Sequence, residues 1–160
     1  DNLSYPSISI FNLYFIDFLL WELYAENIKG KLTFTNDNSD KLSDLKMKVF
    51  NQKGLFNSFK LRQLNSKEHL FSQSQSILHY GKVKDFINGI GNMCLISTSE
   101  NSSGNKENPT EKKIRFADKN SSLKRLIMFE SFEDDKWGEE QIKKHEKEIK
   151  ILIENFLYDS

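Results

Sequence analysis

The chain carries one cysteine, no net charge and no apolar run long enough to cross a membrane, and each shortage removes a class of function. A lone thiol, Cys94, excludes an internal disulfide and any zinc site built on cysteines. It fits a reducing, cytoplasmic setting. With 23 basic and 23 acidic side chains, the chain cannot hold nucleic acid by overall charge and needs a local basic face. Such a face is available, because Lys106, Lys112, Lys113, Arg115, Lys119, Lys124 and Arg125 gather ahead of an acidic stretch from Glu130 to Glu140. The most apolar segment, residues 8–23, is shorter than a bilayer span and contains Asp17 and Glu22, so no membrane partner is expected. No signal peptide and no internal repeat is visible in these residues. Gly89-Ile90-Gly91 is not followed by the Lys-Ser/Thr pair of a phosphate-binding loop.

What is present is enough chain, 160 residues, for one domain with a real core. It opens on Asp1 rather than Met and reads as the C-terminal part of something longer. Residues 10–24 predict a largely buried helix, with Phe11, Phe15, Phe18, Leu19 and Leu23 recurring at three-to-four spacing as an aromatic face. Leu45, Val49 and Phe50 suggest a short helix. Phe56, Phe59 and Leu61 suggest a strand over residues 57–63. Residues 66–71 read as extended, residues 83–88 as a short helix stopped by glycine, and residues 93–97 as a buried strand. Pro109 suits the first position of a helix over 109–116, Ser121 or Ser122 can cap another over 123–129, and a last amphipathic helix spans 139–157. Helices around a small sheet make an α+β fold.

The chemistry concentrates in Glu68-His69 and the residues downstream of it. Hydrolysis of a phosphodiester needs an aimed water, a base for its proton and stabilisation of phosphate charge. A neutral His and one divalent cation supply the last two. Mg²⁺, or alternatively Mn²⁺, takes hard oxygen ligands, for which a Glu and an Asn carbonyl are suitable. Glu68 is thus a candidate metal ligand and His69 a candidate base. Asn92 opens the second strand and can hold the imidazole. Asn101, just past that strand, can bring a carbonyl to the metal. Lys112 and Lys113 can meet phosphate oxygens of a DNA substrate. His79 and His145 read as a loop residue and a packed residue.

The layout resembles the HNH, or ββα-metal, nucleases, and in particular the C-terminal domain of GmrSD-type defence proteins. Leu64-Asn65-Ser66-Lys67-Glu68-His69-Leu70-Phe71-Ser72-Gln73 stands where that family reads like RNSVEHxxPQ. Gly91-Asn92-Met93-Cys94-Leu95-Ile96-Ser97, then Asn101-Ser102, Asn105, Pro109 and Lys112-Lys113, is similar to its second motif. Ser72 replaces the family's Pro, and Glu68 stands where the HNH domain of RNA-guided nucleases has Asp. The resemblance implies a ββα-metal core, His69 as general base, Glu68 and Asn101 as ligands of one divalent cation, and Asn92 orienting His69. It also implies an NTPase domain or partner outside this chain. The expected organisation is a helical lead-in with a first strand over residues 1–63, a nuclease core over 64–118 and packing helices over 119–160. The competing expectations are an inactive HNH-like module that binds DNA or a partner, and a helical tail that holds an oligomer together.

Overall fold

The computed structural model describes residues 3–35, 40–60, 64–100, 107–119 and 121–159. The first helix, α1 (Ile10–Asn27), starts at Ser9, whose hydroxyl accepts from Asn12 N while the Asn12 side chain accepts from Ser9 N, a reciprocal cap. Its buried residues are Leu13, Ile16, Leu19, Leu20, Leu23 and Tyr24. The aromatic face expected inside is turned outward instead, with Phe11 83% exposed. Asp17 accounts for the rotation. Its buried carboxylate accepts from Ser122 Oγ (2.9 Å) and Lys124 N (2.8 Å), which fixes that side of α1 against the start of a later helix. Burial pushes the Asp17 carboxyl up to about 6, against the opposing pull of those hydrogen bonds.

Two short helices follow, α2 (Ser43–Asn51) and α3 (Lys53–Asn57). The strand expected over 57–63 is absent among the described residues. The apolar spacing there serves a helical turn: Phe56 is fully buried against Tyr24, and Phe59 meets Trp21. Residues 61–63 lie outside the described residues.

The sheet has two antiparallel strands among the described residues, β1 (Ser66–His69) and β2 (Met93–Ile96), in a register that pairs Glu68 with Cys94 and His69 with Met93. Between them lie α4 (Gln73–Tyr80) and two 3-10 turns, Asp85–Asn88 and Ile90–Asn92. Helix α4 was not legible as such. Ser72, the residue standing for proline, caps it by accepting from Gln75 N. Gly81, at φ 76°, ends it in the left-handed region. The whole of β2 is buried. Helix α5 (Pro109–Phe116) begins with a capping box between Asn108 and Glu111. Helices α6 (Leu123–Glu130) and α7 (Glu139–Asp159) complete the described structure. Helix α6 is buried along almost its whole length, and Lys124 donates from Nζ to Met93 O of β2 at 2.6 Å.

Asn92 joins these parts. Its Oδ1 accepts from Phe71 N (2.9 Å) and Trp137 Nε1 (3.0 Å), and its Nδ2 donates to Phe71 O (2.8 Å) and Ile87 O (2.9 Å). Its backbone oxygen accepts from Leu70 N. The residue before it, Gly91, lies against α7 so closely that a Cβ would stand 2.3 Å from Ile142 O. Because that neighbour is backbone, Gly91→Ala is expected to cost about 2–3 kcal/mol of stability as an overpacking change, read by denaturant unfolding. An unchanged midpoint would contradict this close approach.

His145 is fully buried on α7, with Nδ1 2.8 Å from Glu148 Oε1 and Nε2 without a hydrogen-bond partner among the described residues. Burial first, and then Lys124, hold its pKa down to about 4, while Glu148 opposes them and Lys48 adds a smaller lowering. The folded imidazole therefore stays neutral where the unfolded one, with its ordinary value of 6.5, has begun to charge. The resulting stability is complete above about 6.5 and is lost as pH falls toward 4, on the order of 3 kcal/mol. His145→Gln should lack that component, so its stability gap to the natural chain should change across this window in chemical unfolding. A constant gap would refute the assignment.

Candidate active site

Strand β1 delivers two neighbouring side chains to an open cleft of about 400 Å³ lined by Tyr5, Lys67, Glu68, His69, Gln73 and Lys112, among others. Neighbours on a strand point to opposite faces, and here Glu68 is buried while His69 is half-buried. His69 is the last residue of β1, and the chain turns away at Leu70, where Asn92 holds it, so both residues line the same cleft.

Glu68 sits in a buried charge cluster. Its Oε1 is 3.0 Å from Lys112 Nζ, and Oε2 is 3.8 Å from Arg125 Nη1. Lys112 Nζ also donates to His69 O at 2.9 Å, so one ammonium clamps two consecutive residues of β1 to α5. Arg125, fully buried on α6, also pairs with Glu100 at 3.2 Å, donates from Nε to Ser121 Oγ and lies over the Phe116 ring at 4.8 Å. Glu68, Lys112 and Arg125 are thus paired away from water, as buried charges must be, with the partly exposed Glu100 completing the balance at the edge.

His69 Nε2 lies 2.9 Å from Asn88 Oδ1, and Gln73 Nε2 donates to the same oxygen at 3.1 Å. The Tyr5 ring meets the imidazole edge-on, with centroids 4.8 Å apart. Partial burial holds the His69 pKa below its ordinary value. The Asn88 contact opposes that shift, while Lys112 and Lys67 reinforce it. A neutral imidazole results near neutral pH, the form able to accept a proton.

The other candidate residues fall into different places. Asn92 does not hold the imidazole. Its side-chain atoms are engaged with Phe71, Ile87 and Trp137, and the residue beside the His69 ring is Asn88. Asn101 lies outside the described residues. Lys112 reaches the cleft with its ammonium already engaged by Glu68 and His69 O. Lys113 Nζ lies 4.8 Å over the Phe132 ring. Sequence reasoning gave Asn88 and Arg125 no role at the site. Asn88 is 19 residues from His69, at the end of a segment that reads as a short helix, and Arg125 reads as one of several clustered cations, so neither carries a spacing signal.

Among the described residues no three His, Cys, Asp or Glu side chains cluster to hold a metal. Among the described residues Glu68 is the one carboxylate lining this cleft, and so the one anionic oxygen donor there. Among the same residues no helix is long and apolar enough to cross a membrane.

No curated protein and no solved structure matches the chain. The model of one family, described as GmrSD restriction endonucleases, C-terminal domain, matches residues 12–150, a span that includes β1, the cleft residues from Lys67 onward, and most of α7. That family supports a nuclease role of restriction-endonuclease type. With well over half of its length matched, the chain belongs to the family of GmrSD restriction endonuclease C-terminal domains.

Proposed function

We propose that the chain is a metal-dependent, HNH-type endonuclease domain that hydrolyses DNA phosphodiester bonds, as the effector of a restriction or anti-phage protein whose NTPase part lies outside it. The observation that supports this most is the convergence of Glu68 and a neutral, half-buried His69 on one open cleft in a chain of this family.

The donor chemistry fits a hard cation. Glu68 presents one carboxylate whose Oε2 has, among the described residues, a distant ion-pair partner in Arg125 at 3.8 Å, and Mg²⁺ commonly takes one or two protein oxygens and fills its other positions with water and phosphate. Glu68, with Asn101 as second donor, would hold it. Such an ion would supply charge neutralisation on the phosphate and on the departing oxygen. His69 takes a proton from the attacking water as the new P–O bond forms and the scissile P–O bond breaks, and solvent protonates the leaving oxygen. Asn92 supports this by fixing the backbone just after His69, at Leu70 and Phe71, rather than by touching the ring. Lys112 holds the Glu68 carboxylate and the His69 backbone in mutual register.

A second reading, an HNH-like module that binds DNA or a partner without cutting, is favoured by one observation. Glu68 is already paired with Lys112 and neighboured by Arg125, so its charge is compensated without any metal.

Plasmid cleavage with Mg²⁺, with Mn²⁺ and with chelator separates the two readings. Cutting that requires the metal and falls about 10²–10⁴-fold in His69→Ala supports the nuclease. Undiminished cutting by a folded His69→Ala would sink the assignment. DNA retention without cutting by the unaltered chain would favour the binding module.

A further inference from the structure

We infer that Asn88, braced by Gln73, is a positioning residue that fixes the tautomer of His69, leaving Nδ1 as the ring nitrogen that receives the proton. The inference rests on His69 acting as the general base and says which atom acts and what selects it.

Two contacts converge on one atom. Asn88 Oδ1 is 2.9 Å from His69 Nε2 and 3.1 Å from Gln73 Nε2. A carboxamide oxygen only accepts, and the Gln73 amide nitrogen only donates. With Oδ1 facing both, Nε2 must carry the hydrogen. A neutral imidazole has a single N–H, so Nδ1 carries the lone pair. The second donor matters because it couples the two amides: with Gln73 Nε2 facing Asn88, the Asn88 oxygen is the end that faces the ring. Were the amide reversed, its NH₂ would face the NH₂ of Gln73.

The surroundings hold this arrangement from several directions. Asn88 closes the Asp85–Asn88 turn, and its backbone oxygen accepts from Tyr5 N at 2.7 Å. Tyr5 then sets its ring edge-on against the imidazole. Ser4 forms a bridge with Gly89 beside it. Gln73 opens α4, directly after the Ser72 cap. His69 is therefore packed by the N-terminal segment on one side and hydrogen-bonded by the 85–88 turn, while β1 sets its backbone. The arrangement is that of an outer partner that fixes a functional imidazole by occupying its other nitrogen.

The test is ¹⁵N NMR of the full chain, with the His69 signals assigned by their loss in His69→Ala and recorded well above the ordinary imidazole pKa. The natural chain should show His69 protonated at Nε2. Asn88→Asp keeps an acceptor at the same place and should keep that tautomer. Asn88→Ala should give a mixture of tautomers with the fold retained by circular dichroism. Cleavage by Asn88→Ala should show kcat reduced roughly 10–100-fold with KM for DNA little changed, and Asn88→Asp should retain more of kcat than Asn88→Ala. Predominant Nδ1 protonation in the natural chain overturns the inference. So do unchanged tautomer populations in Asn88→Ala. If His69→Ala abolishes cutting while Asn88→Ala leaves kcat intact, this inference fails and the nuclease reading stands. If His69→Ala cuts normally, the nuclease reading itself fails, and the tautomer still reports on Asn88 independently.

Discussion

The amide of Asn92 is the constraint on which the rest of the cleft depends. One side chain satisfies both backbone atoms of Phe71, the carbonyl of Ile87 and the indole N–H of Trp137. Through them it fixes the chain leaving β1, the turn that carries Asn88 and the approach to α7. Only a carboxamide presents two donors and an acceptor in one plane. Each bond is worth about 1 kcal/mol net, but each partner left buried and unsatisfied costs about 1–3 kcal/mol. The asymmetry explains why a fully buried polar residue sits at the junction of a 3-10 turn and an apolar strand. Gly91 belongs to the same device, since only a residue without Cβ brings Asn92 this close to α7.

A second device is electrostatic. Glu68 comes from β1, and Lys112 and Arg125 from the consecutive helices α5 and α6, far along the chain from it. Their burial carries a desolvation cost that mutual pairing offsets only with good geometry. What the cluster contributes is position. Lys112 reads both the Glu68 carboxylate and the His69 carbonyl, and Arg125 is wedged between Glu68, Glu100 and the Phe116 ring. Asp17 and Lys124 extend the same principle to α1 and β2. The interior is therefore organised by a few directional polar contacts inside two apolar clusters.

Much of the α+β outline was legible where local chemistry and burial agree. Pro109 with Asn108 and Glu111, Ser122 before Leu123, and the apolar run of β2 each mark an element by its own residues. Helix α4 was not legible, because Gln73-Ser74-Gln75-Ser76 has no apolar period. Its ends are set by the Ser72 cap and Gly81, and Ser76 bonds across to Lys82 O and Lys84 N. The direction in which α1 faces was hidden as well. That helix is apolar all round, and the long-range tie from Asp17 to Ser122 chose the buried side. At the site, adjacency on a strand argues for opposite faces, and Glu68 and His69 share one cleft because the chain turns away at Leu70. The partner of His69 depended on a fold-dependent approach of Asn88, and Asn92 proved to bond backbone that no spacing rule could name.

The central claim is that this cleft, built by β1 around Glu68 and His69, is where a divalent cation and the phosphate meet. Titration of the ¹⁵N-labelled chain with trace Mn²⁺, read as paramagnetic broadening of amide signals, tests it most directly. The account predicts broadening centred on Glu68 and His69, reaching Gln73 and Lys112, and removed by Glu68→Gln. Broadening centred elsewhere, or unchanged in Glu68→Gln, would contradict it.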